Sequence, residues 1–218
     1  MPKIKIPRKS TNVDMTAMCD VAFLLLTFFI LATKQKPPEV LAVSPPSSVS
    51  SKAAPDKSIL VTMTAEGKVF LTLGDETKKD AIIDDFNKTK GLGLSGGELA
   101  KLKKSEFIGL PANKLKSAMA SNQVIAPAAM DGIPIDSTNN ELSDWIRSVT
   151  NAYAGGDQKV LEKMLLVKGD NAALYPIFKN VKQAFKKNQI FKFRIVTNSE
   201  DIPSGSELSK RARTGTAK

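Results

Sequence analysis

Residues 15–33 read MTAMCDVAFLLLTFFILAT, which is the stretch of the chain most hydrophobic in composition. At ~1.5 Å per residue a helix of this length extends roughly 28 Å, close to the ~30 Å hydrocarbon thickness of a bilayer. A helix that began only at Asp20 would reach about 21 Å by Thr33 and would be too short to span. The sequence therefore predicts one transmembrane helix over residues 15–33, with Asp20 inside its apolar zone.

Asp20 is the one acidic residue of this stretch. An ionised carboxylate in the apolar zone costs ~2.5–3.5 kcal/mol on insertion scales, so we expect Asp20 to face other helices and to bind and release protons. At ~100° per residue, the residues that share its helical face are Thr16, Leu24, Thr27 and Leu31. We predict that Asp20 carries protons and that Thr16 and Thr27 are candidates for the polar face of the proton path.

Two other interpretations of this stretch stay open. In the first, Asp20 is a helix N-cap at the membrane surface, although Asp14 and Thr16 are better placed to cap. In the second, the stretch is the apolar region of a signal peptide, with basic residues before it and Ile30-Leu31-Ala32 as a poor cleavage site. A charge within the apolar region argues against a signal peptide.

The charges that flank the stretch predict its orientation. Four cations precede it and two follow within fifteen residues, namely Lys3, Lys5, Arg8 and Lys9 against Lys34 and Lys36. Because positive flanks stay in the cytoplasm, we expect residues 1–14 to be cytoplasmic and the bulk of the chain to be periplasmic in a bacterium.

Composition excludes several classes of function. The chain has 218 residues, 42% hydrophobic and 25% charged, enough for one span and one globular domain. Its net charge of +10 comes without a nucleic-acid-binding motif, so we expect no nucleic-acid partner. The chain has no histidine and a single cysteine, Cys19, which removes disulfides, thiolate zinc sites and histidine-based catalysis. We expect neither a cofactor nor a metal, and no enzymatic activity.

After the span, proline and serine dominate residues 34–57, which predicts a flexible linker. The outer domain, residues 58–198, opens with two runs, 58–64 and 68–73, in which apolar and polar residues partly alternate. Ala65-Glu66-Gly67 lies between them, which predicts a β-hairpin. We interpret residues 74–137 as an insertion with two short amphipathic helices, marked by Ile82, Ile83 and Phe86 and by Leu99 and Leu102. Gly91, Gly93 and Gly96 match GxGxxG, but no strand precedes them, so we favour a flexible loop over a nucleotide site.

The last third of the chain predicts a helix and a strand-helix-strand unit. Thr138 and Glu141 suggest a capping box for the helix that follows, and Ala154-Gly155-Gly156 its stop. The predicted core positions of this helix are Leu142, Trp145, Ile146, Val149 and Tyr153. Residues 164–167 predict a buried strand, Pro176 the first turn of a helix, and residues 191–197 a second strand parallel to the first. Residues 199–218 are predicted to be a disordered basic tail.

The span resembles that of a known family. The segment NVDMTAMCDVAFLLLTFFILAT is similar to the single transmembrane segment of the ExbD/TolR proteins, in which an aspartate follows a threonine by four residues, here Thr16 and Asp20, and opens an apolar run. Ala17 replaces the usual proline after the threonine, and Asp14 replaces the usual asparagine six residues before the aspartate. The hairpin and the run MLLVKGDNAALYPIFKNVKQAFKKNQIFKFRIVT also resemble the outer domain of this family, and the resemblance covers about residues 10–36, 58–73 and 139–198.

The resemblance implies an α+β protein with one N-terminal transmembrane helix and a small periplasmic α/β domain. It implies a homodimer inside a ring of a polytopic ExbB- or TolQ-like partner, in which Asp20 carries protons to drive a TonB-like energy transducer. A TolR-like or gliding-type motor subunit shares the proton step and differs in the driven partner. The alternative of another class is a membrane-tethered module with a passive anchor, whose outer domain binds peptidoglycan or a protein partner.

Overall fold

The computed structural model describes residues 15–32, 41, 43–49, 54–55, 57–121, 129–136, 138–154, 158–200 and 206. The chain divides into two compact units, Met1–Glu39 and Val40–Lys218. The first contains an apolar helix and the second is a domain of mixed helix and sheet, so the predicted fold class is confirmed. The predicted cytoplasmic segment, residues 1–14, lies outside the described residues.

Seven helices and six strands follow one another in the described residues. The helices are α1 (Met15–Ala32), α2 (Glu76–Lys90), α3 (Gly96–Lys104), α4 (Ala112–Ala120), α5 (Glu141–Ala152), α6 (Gln158–Met164) and α7 (Tyr175–Lys187). The strands are β1 (Ser47–Ser48), β2 (Ile59–Met63), β3 (Val69–Leu73), β4 (Leu165–Gly169), β5 (Arg194–Ile195) and β6 (Asn198–Ser199).

The main sheet has the strand order β3-β2-β4-β5. Strands β2 and β3 form the predicted antiparallel hairpin, with Val61 opposite Leu71. Strand β4 pairs in parallel with β2 and with β5, which confirms the parallel strands predicted on either side of α7. The buried face of the sheet and the buried sides of α2, α5 and α7 belong to one hydrophobic core.

Helix α5 lies at the centre of this core because its apolar residues recur at helical spacing. All five of its predicted core positions are buried, and the Trp145 ring stacks on Phe86 of α2 with 3.5 Å between ring centroids. The predicted capping box is wrong, because the helix begins at Glu141 and Asn140 is the N-cap, whose side chain accepts a hydrogen bond from the Ser143 N–H. The helix ends at Ala152, just before the predicted stop Ala154-Gly155-Gly156, of which Gly155 and Gly156 lie outside the described residues.

The segment 74–137 is part of the core of the domain. Helix α2 is longer than predicted and buries Ile82, Ile83 and Phe86. Gly91 is the left-handed C-cap of α2, and Gly96 is the first residue of α3, so these two glycines of the GxGxxG pattern mark helix ends. Ile108 pairs with Leu71 and extends the sheet beyond β3. That this segment is an insertion relative to the family stays a prediction.

The predicted strand 191–197 is shorter in the structure, where β5 contains only Arg194–Ile195. Phe193 precedes β5 and packs against Phe185 and Phe178, at 5.3 and 6.2 Å between ring centroids, whereas Phe191 and Ile195 are exposed. Tertiary packing of one aromatic ring therefore overrides the alternating pattern of FKFRIVT.

The predicted linker is also shorter than 34–57, because residues 43–49 lie on the domain. The Ser44 N–H donates to Asp170 Oδ2 at 3.0 Å, the Asn171 N–H donates to the Ser44 carbonyl at 2.9 Å, and Val43 is buried. Strand β1 pairs in parallel with β6, so Ser199 belongs to the domain and not to the predicted tail. Residues 33–40, 50–53, 201–205 and 207–218 lie outside the described residues.

Candidate proton site on the membrane helix

Helix α1 meets the length and composition of a membrane span. It has 18 residues, Met15–Ala32, and at ~1.5 Å per residue extends about 27 Å. This agrees with the predicted span 15–33, whose last residue lies outside the described residues. Every side chain of α1 is exposed in the isolated chain, so this apolar surface needs lipid or other helices to cover it.

Asp20 lies in the interior of α1, five residues after Met15 and thus about 7.5 Å along the axis. A helix that begins at Met15 gives Asp20 intrahelical backbone neighbours on both sides, so the alternative in which Asp20 caps the helix is wrong. The carboxylate therefore projects from the side of the helix and not from its end.

Thr16 and Thr27 lie close to the stripe of Asp20 along α1. In a regular helix Thr27 is rotated about 20° from Asp20 and Thr16 about 40°. Thr27 lies two turns further along, about 10.5 Å from Asp20 on the axis, which exceeds hydrogen-bond distance. A chain of water molecules or a partner side chain would have to bridge these two groups.

The Thr27 hydroxyl is already used as a donor inside the helix. Thr27 Oγ1 donates to the carbonyl of Leu24 at 3.0 Å. A hydroxyl has one proton to donate and two lone pairs that accept, so Thr27 presents acceptor capacity to any bridging group. Its chemistry suits a group that accepts from a protonated carboxyl or from water.

Asp75 is a buried carboxylate of the outer domain whose partners are all structural. Asp75 accepts hydrogen bonds from the Thr77 hydroxyl at 2.6 Å, from the Thr77 N–H at 3.2 Å and from the Tyr153 hydroxyl at 3.2 Å. The Thr77 hydroxyl holds the pKa of Asp75 below its usual value, whereas burial raises the pKa of Tyr153 to about 12. The cluster caps α2 and joins it to the end of α5.

Within the part of the chain that the structure describes, no group of three or more His, Cys, Asp or Glu side chains is placed to hold a metal ion. A depression of about 360 Å³ lies between α2 and the end of α5 and is lined in part by Asp84 and Asp85. Both carboxylates have partners, since Lys103 Nζ lies 3.1 Å from Asp84 and Asn151 donates to Asp85 at 3.2 Å.

Sequence reasoning missed Asp170, which attaches residues 43–49 to the domain. Its Oδ1 accepts from the Ala172 N–H at 2.9 Å while Oδ2 accepts from Ser44. Aspartate after glycine at a strand end signals the local turn. The bond to Ser44 joins residues 126 positions apart and has no local signal.

A family model described as biopolymer transport protein ExbD/TolR matches residues 7–200. The chain belongs to the ExbD/TolR family. Comparison with curated proteins and with solved structures gives no match. The family match includes α1, which favours a retained span over a signal peptide.

Membership in the ExbD/TolR family indicates an energy-coupling subunit of biopolymer transport. It also implies a single-pass protein of the inner membrane that associates with membrane partners such as ExbB or TolQ and TonB or TolA. The family model includes both ExbD and TolR proteins, so the match does not distinguish between these two roles.

Proposed function

We propose that this protein is the motor subunit of an ExbB–ExbD type complex, which uses the proton-motive force to energise TonB-dependent transport across the outer membrane. Its N-terminus is cytoplasmic and its domain periplasmic. The observation that carries the proposal is Asp20, a single carboxylate on the side of an otherwise apolar helix that belongs to the family match.

Protonation of Asp20 would switch the helix between two environments. The charged form requires polar partner groups, whereas the neutral form tolerates apolar surroundings, so each proton that binds permits one helix to move against its neighbours. The cost of burying the charge is ~2.5–3.5 kcal/mol, and a proton that crosses 100 mV supplies ~2.3 kcal/mol. The two energies are of the same order, so a gradient of about 110–150 mV would supply the energy of the switch.

The exposed surface of α1 supports assembly with other helices. Its side chains are exposed in the isolated chain, and a carboxylate on that surface is disfavoured against lipid. A homodimer inside a ring of a polytopic ExbB- or TolQ-like protein would surround Asp20 with protein.

The variant Asp20→Asn tests the proposal, because asparagine keeps the shape and cannot carry a proton. We expect it to assemble with its multi-span partner, measured by co-purification from detergent, and to lose transport that depends on the proton-motive force. Met18→Asn, about 160° away on the helix, introduces the same side chain and should retain transport. Wild-type transport by Asp20→Asn would refute the proton-carrying role.

Two alternatives are separated by further measurements. A TolR-like or gliding-type subunit would also lose function on Asp20→Asn, and the transducer that co-purifies distinguishes it from an ExbD-like one. A module with a passive anchor would keep its activity when residues 15–33 are replaced by an unrelated polyleucine span. The motor subunit would lose it.

A further inference from the structure

The outer domain exposes four large apolar side chains close together in sequence around α7 and β5. Leu174 is 66% exposed, Tyr175 71%, Phe191 69% and Ile195 53%. Exposed apolar side chains that cluster in this way mark an interaction surface, whereas scattered ones do not.

Partly buried aromatic rings connect the two parts of this cluster. The Tyr175 ring lies 6.4 Å from Phe178, and Phe178 lies 6.2 Å from Phe193, as measured between ring centroids. Phe193 is two residues from both Phe191 and Ile195. The start of α7 and the segment 191–195 therefore lie next to each other, and we call their exposed surface the α7–β5 face.

The α7–β5 face is also strongly basic. Residues 171–199 contain six cations and no acidic residue, and all six are exposed, namely Lys179, Lys182, Lys186, Lys187, Lys192 and Arg194. Tyr175, Lys179, Lys182 and Lys186 follow one another at i, i+4, i+7 and i+11, which places them within about 60° on one side of α7. None of the ion pairs found among the described residues involves these six cations.

We propose that the α7–β5 face docks on a phospholipid surface with anionic headgroups. Exposed aromatic and aliphatic side chains insert at the level of the headgroups, and lysine and arginine side chains beside them contact lipid phosphates. On α7 both features lie on one side of the helix, where Tyr175 is followed by Lys179, Lys182 and Lys186.

Charge and tethering favour a bilayer over a protein as the occupant. Two copies of the α7–β5 face would bring like charges together with no acidic residue in 171–199 to pair with them. The chain also carries the span α1, so a bilayer surface is always near the domain, and tethering raises its effective concentration. The proposal depends on α1 as a span but not on proton transfer at Asp20.

The test uses the full chain in nanodiscs. Cys19 is the only cysteine, so Cys19→Ala gives a background in which Phe191→Cys carries a single nitroxide label. Its accessibility to oxygen and to a water-soluble nickel chelate is measured in phosphatidylcholine alone and with one third phosphatidylglycerol. Ala100→Cys, on the exposed side of α3, is the control label.

We expect the anionic lipid to shield the Phe191 label from nickel and expose it to oxygen, with no change at the Ala100 label.

Lys179→Glu with Lys182→Glu should lower the ratio of docked to free domain at least about twenty-five-fold, since each cation near an anionic surface contributes about fivefold. Lys104→Glu with Lys116→Glu makes the same charge change on α3 and α4 and should leave the ratio unchanged. Unchanged fluorescence of the buried Trp145 shows that each variant is folded.

Three results would overturn the proposal. The Phe191 label would remain accessible to nickel in both lipids, or it would be shielded equally in neutral and anionic lipid, or it would be shielded from both reagents in both lipids. The last result would show that a protein, and not lipid, covers the face. Because the measurement needs no proton gradient, docking that fails while Asp20→Asn still abolishes transport would refute this inference alone.

Discussion

Asp75 shows how one side chain joins two distant parts of the domain. Its carboxylate caps α2 through Thr77 and accepts from the Tyr153 hydroxyl, 78 residues away. An aspartate before a helix predicts the cap from sequence alone. The tyrosine partner is determined by the packing of α5 on α2.

The hydrogen bonds of Asp75 should make stability depend on pH in acid. Since they lower the pKa of Asp75 in the folded state, the unfolded state binds this proton more readily. The stabilisation is complete above the ordinary pKa of about 3.9 and is lost as the pH falls through the lower folded-state value. Asp75→Asn should lower the free energy of unfolding by about 1–3 kcal/mol at neutral pH and make its decrease below about pH 4 shallower.

Urea unfolding followed by Trp145 fluorescence at several pH values measures this effect. The exposed Asp136 provides the control, because Asp136→Asn should leave both the stability and its pH dependence close to those of the original chain. An Asp75→Asn chain with an unchanged acid transition would contradict the role of this carboxylate.

Gly109 is required by close packing, whereas Gly97 is not. A Cβ atom on Gly109 would overlap the ring of Phe70, but one on Gly97 would meet no atom within 4 Å. Gly109→Ala should therefore lower the free energy of unfolding by about 1–3 kcal/mol. Gly97→Ala, within α3, should be neutral or raise it by up to about 1 kcal/mol. Equal effects of the two substitutions in thermal unfolding would show that Phe70 moves aside at little cost.

At the level of secondary structure, the N-terminus of α5 differs from the capping box that the sequence predicts. Asn140 caps the helix and its side chain also donates to the Asn180 carbonyl at 3.2 Å, whereas the exposed Thr138 lies outside the helix. The buried carboxylate of Glu141 accepts from the Ala112 N–H at 2.8 Å and so is not available for a capping box.

Asn140→Ala should lower the free energy of unfolding by about 0.5–2 kcal/mol, because it leaves the Ser143 N–H without its side-chain acceptor. Thr138→Ala should change it by less than about 0.5 kcal/mol. Chemical unfolding of the two variants in parallel measures the difference. A larger effect of Thr138→Ala than of Asn140→Ala would contradict the Asn140 cap and support the capping box predicted from the sequence.

At the scale of the whole molecule, Asp170 determines how much of the chain between span and domain is attached to the domain. Backbone hydrogen bonds from Ala172 and Ser44 hold the pKa of Asp170 below its usual value. Its carboxylate therefore stays ionised into the acid range and continues to accept these two hydrogen bonds. The paired strands β1 and β6 contain two residues each and add two backbone hydrogen bonds, from the Asn198 N–H to the Pro46 carbonyl and from the Glu200 N–H to the Ser48 carbonyl.

Asp170→Ala should therefore release residues 43–49, since it removes the acceptor of the Ser44 N–H. We expect faster hydrogen exchange of this segment, measured by mass spectrometry, while the core strands stay protected. Asp131→Ala removes an exposed ion pair with Lys114 and should leave exchange at 43–49 unchanged. Protection of this segment in Asp170→Ala would show that strands β1 and β6 suffice to hold it.

Local periodicity and composition are enough to predict several features of this protein. These are the span with Asp20 in its interior, the β2–β3 hairpin, the core face of α5, and the parallel strands flanking α7. Each follows from a repeat of 2 or 3.6 residues or from length against bilayer thickness, which are properties of contiguous residues.

Contacts between residues far apart in the chain could be identified from the fold but not from the sequence. Asp170 with Ser44, Tyr153 with Asp75, and the turn of Phe193 toward Phe185 have no local pattern, because their partners come from other elements. The same holds for the α7–β5 face, whose aromatic and basic parts form one surface only after α7 packs beside β5. Local propensity sets which elements form, and packing sets which side chains meet.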